Sequence, residues 1–225
     1  MKIVAIYSLL FLFLFSSCSK VDNYKGPNAT IKGSVIDNTT NKPIETEAPN
    51  GFFIRLQENH SNAIPLNFSG KADGTFENAA VFSGAYKVVP ITGAFFTPDT
   101  ATINISGVTN VDFTVTPFLN VTATAASVSG GVEVKYSISR AVVSNKIIEC
   151  KALASLAPAV ANNVFTKAVT HDLSGIADED ILSTEFTDVI TDLEAGKTYY
   201  VRVAAKTNNS NNKYNYSEII PITIP

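Results

Sequence analysis

The sequence has little charge, little cysteine and no tryptophan, and these shortages limit what the protein can be. Charged residues make up 16% of the 225 residues, and the formal net charge at pH 7 is -3. Lysine and arginine are scattered singly along the chain, whereas a protein that binds nucleic acid needs a clustered basic surface. We therefore expect no nucleic-acid partner. Hydrophobic residues reach 45%, which supplies enough material for real cores.

Cysteine occurs only twice, at Cys18 and Cys150. If Cys18 is modified, as argued below, Cys150 stands alone and an internal disulfide is excluded. Cys150 lies in an alternating apolar stretch, so we interpret it as a small buried hydrophobe. A reactive thiol would need a histidine partner, and neither His60 nor His171 lies in a recognisable motif with it.

Catalytic and metal-binding motifs are also missing from the sequence. We find no nucleophile elbow, no phosphate-binding glycine loop, and no histidine or cysteine at metal-ligand spacing. The densest acid cluster, residues 178–180, lacks the glycine and the distal glutamate of an EF-hand loop, so we interpret it as a solvated acidic loop. The sequence thus predicts a protein without catalytic residues, metal site or cofactor. An undetected hydrolase stays open, and it requires a deep pocket that holds two convergent carboxylates.

No apolar run in the chain is long enough to span a membrane. The longest, residues 3–15, contains 13 residues with Ser8 as its only polar member, whereas a membrane-spanning helix needs about 20. A short apolar run behind Met1-Lys2 has the shape of an export signal. We therefore predict that residues 1–17 are a signal peptide.

The end of this signal resembles the bacterial lipobox. Ser16 and Ser17 are the small residues that precede the cysteine, and Phe15 stands where leucine is usual. The resemblance implies that Cys18 carries lipid and that residues 18–29 form a tether, and Ser19 resembles the sorting pattern of outer-membrane lipoproteins. Ordinary secretion, with a free thiol left behind, is the alternative.

Residues 30–117 read as a first β-sandwich, because short alternating segments recur without helical periodicity. Asp73-Gly74 between strand residues predicts a β-hairpin turn. The order of segments resembles the carboxypeptidase-regulatory-like, transthyretin-like sandwich, a module that is non-catalytic in many proteins. The residues that carry this resemblance are 31–37, Pro43, 73–76 and 84–88.

Residues 118–225 read as a second β-sandwich. Apolar and polar residues alternate on both sides of residues 129–131, which predicts a hairpin. Residues 152–180 allow no firm assignment, although a short helix could fit in 152–169. Residues 193–205 resemble the sixth strand of a fibronectin type III domain, with Tyr199 forming a tyrosine corner. That domain usually carries a core tryptophan, so its absence here limits the match to architecture. The predicted fold is all-β, with two consecutive sandwiches.

The whole chain resembles two-domain surface lipoproteins of unknown function from Bacteroidetes. Residues 22–29, 33–37 and 45–51 leading to 54–56 carry this resemblance. Such proteins are commonly found beside outer-membrane transporters and glycan-binding components. The resemblance therefore implies a non-enzymatic, lipid-anchored protein at the outer-membrane surface, accessory to polysaccharide binding or uptake, with glycan and a transporter complex as partners. The alternative function is an adhesin or fimbrial-type subunit that assembles through strand edges.

Aromatic and amide side chains near the C-terminus suggest contacts for a sugar. Tyr214 and Tyr216 have a spacing of two and share a strand face, where aromatic rings can stack on sugar rings. We predict ligand contacts by these tyrosines and by four side-chain amides of the preceding loop, unless the rings are buried strand residues. The four amides belong to Asn208, Asn209, Asn211 and Asn212.

Overall fold

A computed structural model describes residues 25–225 of the chain, and the predictions for the signal peptide and for Cys18 lie outside these residues. The described part is all-β, with one short helix, and its strands fall into two sets. The first set is β1 (Ala29–Asp37), β2 (Phe53–Glu58), β3 (Leu66–Ser69), β4 (Thr75–Val81), β5 (Gly84–Ile91), β6 (Phe95–Phe96), β7 (Ala101–Ile105), β8 (Val108–Asn110) and β9 (Phe113–Pro117). The second set is β10 (Asn120–Val128), β11 (Gly131–Ser139), β12 (Ile147–Ser155), β13 (Lys167–Asp172), helix α1 (Asp178–Ser183), β14 (Glu185–Thr191), β15 (Thr198–Thr207), β16 (Asn215–Tyr216) and β17 (Ile220–Thr223).

The first set forms a sandwich of two sheets. One sheet has the order β4-β1-β9-β6, with β8 also beside β1, and the other has the order β3-β2-β5-β7. Alternate side chains of the two sheets meet in a core that contains Ile31, Phe52, Phe76 and Phe113. The predicted all-β sandwich is confirmed here.

The Asp73-Gly74 turn forms, but the hairpin predicted around it is wrong. Gly74 has the positive φ of 75° that favours glycine, and the Asp73 carboxylate accepts the Thr75 backbone N–H. However, β3 before the turn pairs with β2, whereas β4 after it pairs with β1 in the opposite sheet. The turn therefore carries the chain from one sheet to the other.

The second set forms another sandwich. Its sheets have the orders β10-β11-β14 and β13-β12-β15-β16, with β17 also beside β15. The hairpin predicted around residues 129–131 is present as the β10–β11 pair. The Tyr199 hydroxyl accepts the Glu194 backbone N–H at 3.2 Å, so the predicted tyrosine corner is confirmed.

Residues 152–180, which the sequence left open, complete β12 and add β13 and the start of α1. A helix within 152–169 is wrong, because these residues form two paired strands and their connecting loop. The interpretation of residues 178–180 as a solvated acidic loop is also wrong for Asp178. Asp178 is the first residue of α1, and its carboxylate binds Arg140 and Lys146, each at 2.9 Å.

All strand pairs in residues 25–225 lie within one set or the other, and only residues 118–119 separate β9 from β10. The two sandwiches therefore meet through side chains and loops and not through a shared sheet. Among the described residues, no helix has the length and apolarity needed to cross a membrane.

Candidate ligand cleft between the two domains

A loop of the first domain lies against the outer face of the second domain. This loop, residues 45–49, follows β1 and is here called the strap. The central contact is Arg202 on β15, which is 1% exposed. Its guanidinium donates to the Glu45 carboxylate and to the Thr46 carbonyl oxygen at 2.9 Å. Burying an arginine is costly unless its donors are satisfied, and here the strap supplies acceptors from the other domain.

A second strap carboxylate completes the joint between the domains. The Glu47 carboxylate accepts hydrogen bonds from the Lys213 ammonium at 3.0 Å and from the Tyr216 hydroxyl at 2.9 Å. The Tyr216 ring lies under Arg202, with 4.4 Å between the guanidinium carbon and the ring centroid. The strap, β15 and Tyr216 thus form one interlocked contact.

Tyr214 and Tyr216 share a face as predicted, with 6.2 Å between ring centroids, but the exposure that stacking on a sugar requires is absent. They are 6% and 5% exposed, because residues 160–161 and side chains of β12 and β15 cover them in a small core. The Tyr214 hydroxyl donates a hydrogen bond to the Glu149 carboxylate. Burial is the main cause that raises the pKa of Tyr214 far above its usual value, and the Glu149 carboxylate raises it further. Both rings are therefore structural, and ligand contact by them is a prediction that the geometry does not favour.

The asparagines of residues 208–212 hold the loop and the domain junction. Asn209 is buried, and its amide donates to the carbonyl oxygens of Thr207 and Lys213. Asn211 donates to the Gly93 carbonyl oxygen of the first domain at 3.1 Å. Asn212 accepts the Lys206 ammonium at 3.1 Å, while Asn208 is exposed and its backbone N–H binds the Lys146 carbonyl oxygen. The predicted contact amides are thus used mainly within the protein.

A cleft of about 480 Å³ opens beside this junction, between the two domains. Residues after β1 form one wall, the start of β10 and residues 215–218 form the other, and the connection 117–119 lies between them. Clefts of this size at domain interfaces are common ligand sites. The polar groups that line the cleft belong to Asp37, Thr40, Lys42, Glu45, Asp73, Asn120, Thr122, Asn215 and Glu218.

The cleft is acidic, because four carboxylates face one lysine. Glu218 binds Lys42 at 2.7 Å, and its hydrogen bond and charge raise the pKa of the Lys42 ammonium. Burial raises the pKa of Glu45, against the opposing effect of the Arg202 guanidinium. Burial acts against ionisation of Asp73 as well, but hydrogen bonds from Thr75 lower the pKa of Asp73 below its usual value.

Tyr216 is the one lining residue of this cleft that the sequence predicted as a ligand contact, and its ring is buried under Arg202. The signal that could have found the cleft is the Glu-Thr-Glu-Ala-Pro stretch at 45–49, which carried a family resemblance without a stated role. Its partners lie more than 150 residues later in the chain, so no local pattern links them.

A second polar cluster lies inside the second domain. The β12–β13 register places Cys150 opposite His171, and His171 Nε2 lies 2.8 Å from the Asp188 carboxylate. The Tyr136 hydroxyl donates to Asp188 at 2.9 Å and lies 3.3 Å from Cys150 Sγ. Burial raises the pKa of the Cys150 thiol to about 11, which disfavours the reactive thiolate despite the nearby histidine. The interpretation of Cys150 as buried is confirmed.

No group of three or more acidic, histidine or cysteine side chains in residues 25–225 has the arrangement of a metal site. The polar atoms that line the cleft can form hydrogen bonds with a ligand. Carboxylate, amide and hydroxyl groups together accept from and donate to hydroxyl groups.

Comparisons with known proteins agree with this architecture. A solved DUF3823 family protein from Bacteroides uniformis has a TM-score of 0.78 and 24% identity, covering 88% of this chain and all of its own. A second B. uniformis structure, described as a "putative carbohydrate binding protein", has a TM-score of 0.77 and 22% identity over the same shares. A DUF3823 family protein from Parabacteroides merdae has a TM-score of 0.74 and 18% identity, again over those shares.

The likeness to these structures covers both sandwiches, which confirms the two-domain architecture. A search of curated proteins found no match. Residues 29–116 match the family described as protein of unknown function (DUF3823), N-terminal domain. The resemblance to two-domain proteins of Bacteroidetes is thereby confirmed, and the first sandwich of this chain is similar to the DUF3823 N-terminal domain.

Proposed function

We propose that the protein binds a glycan in the cleft between its two domains, without acting on it, while a lipid on Cys18 anchors it at the outer-membrane surface. The observation that carries the proposal is the cleft itself. It has a ligand-sized volume of about 480 Å³, and nine of its lining residues offer polar side chains to a hydroxyl-rich molecule. The likeness to a B. uniformis protein described as a "putative carbohydrate binding protein" supports the same class of ligand.

The charge of the cleft favours an uncharged oligosaccharide. Its four carboxylates would repel uronic acids and sulfated sugars, because like charges in a partly desolvated site disfavour binding. Neutral sugar hydroxyls can donate to these carboxylates, and charge-assisted hydrogen bonds of this kind are stronger than neutral ones.

The carboxylates of the cleft are held in fixed contacts, which favours binding over hydrolysis. Asp37 accepts from Thr39, Thr40 and Asn120, and Glu218 is paired with Lys42. A glycosidase needs one carboxyl group that donates a proton and a second that attacks or activates water. Asp37 and Glu218 are thus engaged by neighbouring side chains, and neither carboxylate is free to take one of these two roles.

Binding is tested with a screen of neutral and acidic polysaccharides, followed by calorimetry on the best ligand. Thr122 is exposed on the cleft wall, so Thr122→Trp fills the cleft without disturbing a core. We expect this variant to bind at least about tenfold more weakly, which corresponds to about 1.4 kcal/mol. Thr124→Trp is the matched control, because Thr124 is exposed on the same strand outside the cleft.

Two results would reject the glycan proposal. One is that no neutral polysaccharide binds, and the other is that Thr122→Trp binds as tightly as the unchanged protein. Release of shorter sugars during incubation would show hydrolysis and would reject the non-enzymatic part alone.

Membrane anchorage is tested separately with Cys18→Ala. A lipid-anchored protein that loses its acceptor thiol moves from the membrane fraction to the soluble fraction. If the variant and the unchanged protein fractionate alike, Cys18 is not the anchor. Copurification with an outer-membrane transporter tests the proposed partner complex, and the adhesin alternative stays a prediction that no observation favours.

A further inference from the structure

Three loops at one end of the first domain each expose a large apolar side chain. Ile64, between β2 and β3, is 90% exposed, and Phe82, between β4 and β5, is 50% exposed. Val108, at the turn between β7 and β8, is 61% exposed. Single exposed apolar residues are ordinary on protein surfaces, but here they occupy successive connections at the same end. We call Ile64, Phe82 and Val108 the apolar triad.

Backbone hydrogen bonds place this triad where the chain enters the first domain. The Asn28 N–H donates to the Val81 carbonyl oxygen at 3.0 Å, next to Phe82. The Thr30 N–H donates to the Gly107 carbonyl oxygen at 2.7 Å, next to Val108. The loop that carries Ile64 begins at Asn59, whose N–H binds the Ala85 carbonyl oxygen at 2.8 Å, close behind Phe82. All three side chains therefore surround the start of β1.

This end of the domain carries no carboxylate in its connecting segments. The four segments, residues 25–28, 59–65, 82–83 and 106–107, contain Lys25 and His60 but no aspartate or glutamate. Glu58 lies at the end of β2 and its carboxylate is paired with His60 at 2.6 Å. The opposite end, by contrast, holds the acidic cleft. An apolar surface with no acidic residue in its loops is the kind that can settle on a bilayer with anionic lipids.

A bilayer is within reach of the apolar triad, because the chain between Cys18 and β1 is short. Ten residues, 19–28, separate Cys18 from β1, and the tether predicted from their sequence would span about 17 Å on average. A short tether of this kind raises the effective concentration of the attached surface near the membrane to about the millimolar range. Weak apolar contacts then suffice to hold one orientation.

We infer that the apolar triad rests on the bilayer to which Cys18 is anchored, so that the first domain stands on the membrane with the cleft at its far end. The inference rests on the lipid anchor of the proposed function and does not depend on glycan binding. Strand β1 runs from the triad at Ala29 to the cleft at Asp37, so the cleft is raised about 26 Å above the surface.

The test uses the lipidated full-length protein in vesicles of phosphatidylethanolamine and phosphatidylglycerol. Phe82→Cys and Val108→Cys are each labelled with the environment-sensitive fluorophore NBD, and iodide in the water quenches any exposed label. Val143→Cys is the control, since Val143 is 82% exposed in the second domain. Cys150 is buried and does not compete for the label. We expect iodide quenching at positions 82 and 108 to be at least about threefold lower than at position 143, with a blue-shifted emission.

The outcomes separate this inference from the proposed function. Vesicle flotation of the protein with equal quenching at all three positions overturns the membrane contact but leaves the anchor intact. Failure to float overturns both the anchor and the contact, whereas glycan binding by the same preparation is measured independently. Shielding of the labels in cells but not on pure vesicles would assign the triad to a protein partner and would also overturn the inference. Ile64→Cys gives a third label in case one of the first two variants does not fold.

Discussion

Arg202 is the residue on which the contact between the domains depends. It is among the largest fully buried side chains, and every described contact of its guanidinium is an acceptor or an aromatic ring. The Ser217 and Val160 carbonyl oxygens come from its own domain, and the strap supplies Glu45 and the Thr46 carbonyl oxygen. The planar fork of arginine matches this set of acceptors, which a lysine in its place would leave partly unpaired.

We expect Arg202→Met to lower the free energy of unfolding by about 3 kcal/mol, because it leaves several carbonyl oxygens and the partly buried Glu45 carboxylate without their donor. Urea unfolding followed by circular dichroism measures the change. Arg55→Met is the control, since Arg55 is exposed on β2 and its loss should cost little. An equal, small effect of both substitutions would contradict the role of Arg202.

Cys150 should resist thiol reagents in the folded protein. A thiol with a pKa of about 11 holds only about one part in a thousand of thiolate at pH 8, and Cys150 is also buried. In the Cys18→Ala chain it is the only cysteine, so the dye DTNB reports on it alone. We expect no reaction in minutes in buffer and one thiol per chain in urea. Val143→Cys in the same chain should react at once, and a fast reaction without it would show that Cys150 is accessible.

Local patterns predicted the elements of this fold better than they predicted its connections. The alternation of Cys150 and Ala152 reflects which strand face meets the core, although a bulge in β12 places Ile147 there in place of Ile148. The tyrosine corner at Tyr199 is closed by a partner five residues upstream. The Asp73-Gly74 turn was also recognised, since its geometry depends on four adjacent residues. The pairing partners of the strands on either side of this turn were not predicted, because strand pairing is decided by contacts between residues far apart in the chain.

The candidate site could not be predicted for the same reason. Alternation predicted that Tyr214 and Tyr216 share a face, but it does not tell which face is covered by a loop or by another domain. Residues 160–161 help to cover both rings, the strap at residues 45–49 binds the Tyr216 hydroxyl, and the cleft joins residues from positions 37 to 218. Distances of this length in sequence carry no periodic signal.

Helix α1 provides a test of acid stability at the level of one element. Burial opposes ionisation of Asp178, but hydrogen bonds from Lys146, from the Ile147 backbone N–H and from Arg140 together lower the pKa of Asp178 below its usual value. A carboxyl group whose pKa is lower in the folded state adds stability above its unfolded pKa, and this contribution is lost as the pH falls through the folded pKa.

We therefore expect unfolding experiments between pH 6 and about pH 2 to show a loss of stability that begins near pH 4. In Asp178→Asn the protein is less stable at pH 6, and the loss below pH 4 is smaller. Glu179→Gln, on the exposed side of α1, is the matched control and should keep the full acid dependence. Parallel curves for Asp178→Asn and the unchanged protein would show that Asp178 is not a source of the acid dependence.

At the scale of the whole molecule, the two ends of the first domain differ in polarity and charge. The end where the chain enters carries the apolar triad and no carboxylate in its loops, while the other end carries the cleft and the joint to the second domain. With the lipid anchor that we propose at Cys18, the cleft would face away from the membrane. This arrangement needs the two domains to keep a fixed relation, because residues of both line the cleft.

The fixed relation between the domains predicts that they unfold together. Calorimetry of the unchanged protein should show one transition, since the strap couples the stability of each domain to the other. In the double variant Glu45→Ala with Glu47→Ala, Arg202 and Lys213 lose their carboxylate partners across the joint, so we expect two transitions. The control is Glu77→Ala with Glu133→Ala, which removes two exposed ion pairs within single domains and should keep one transition. Two transitions already in the unchanged protein would show that the strap does not couple the domains, and one transition in the strap variant would show that the connection at 118–119 suffices.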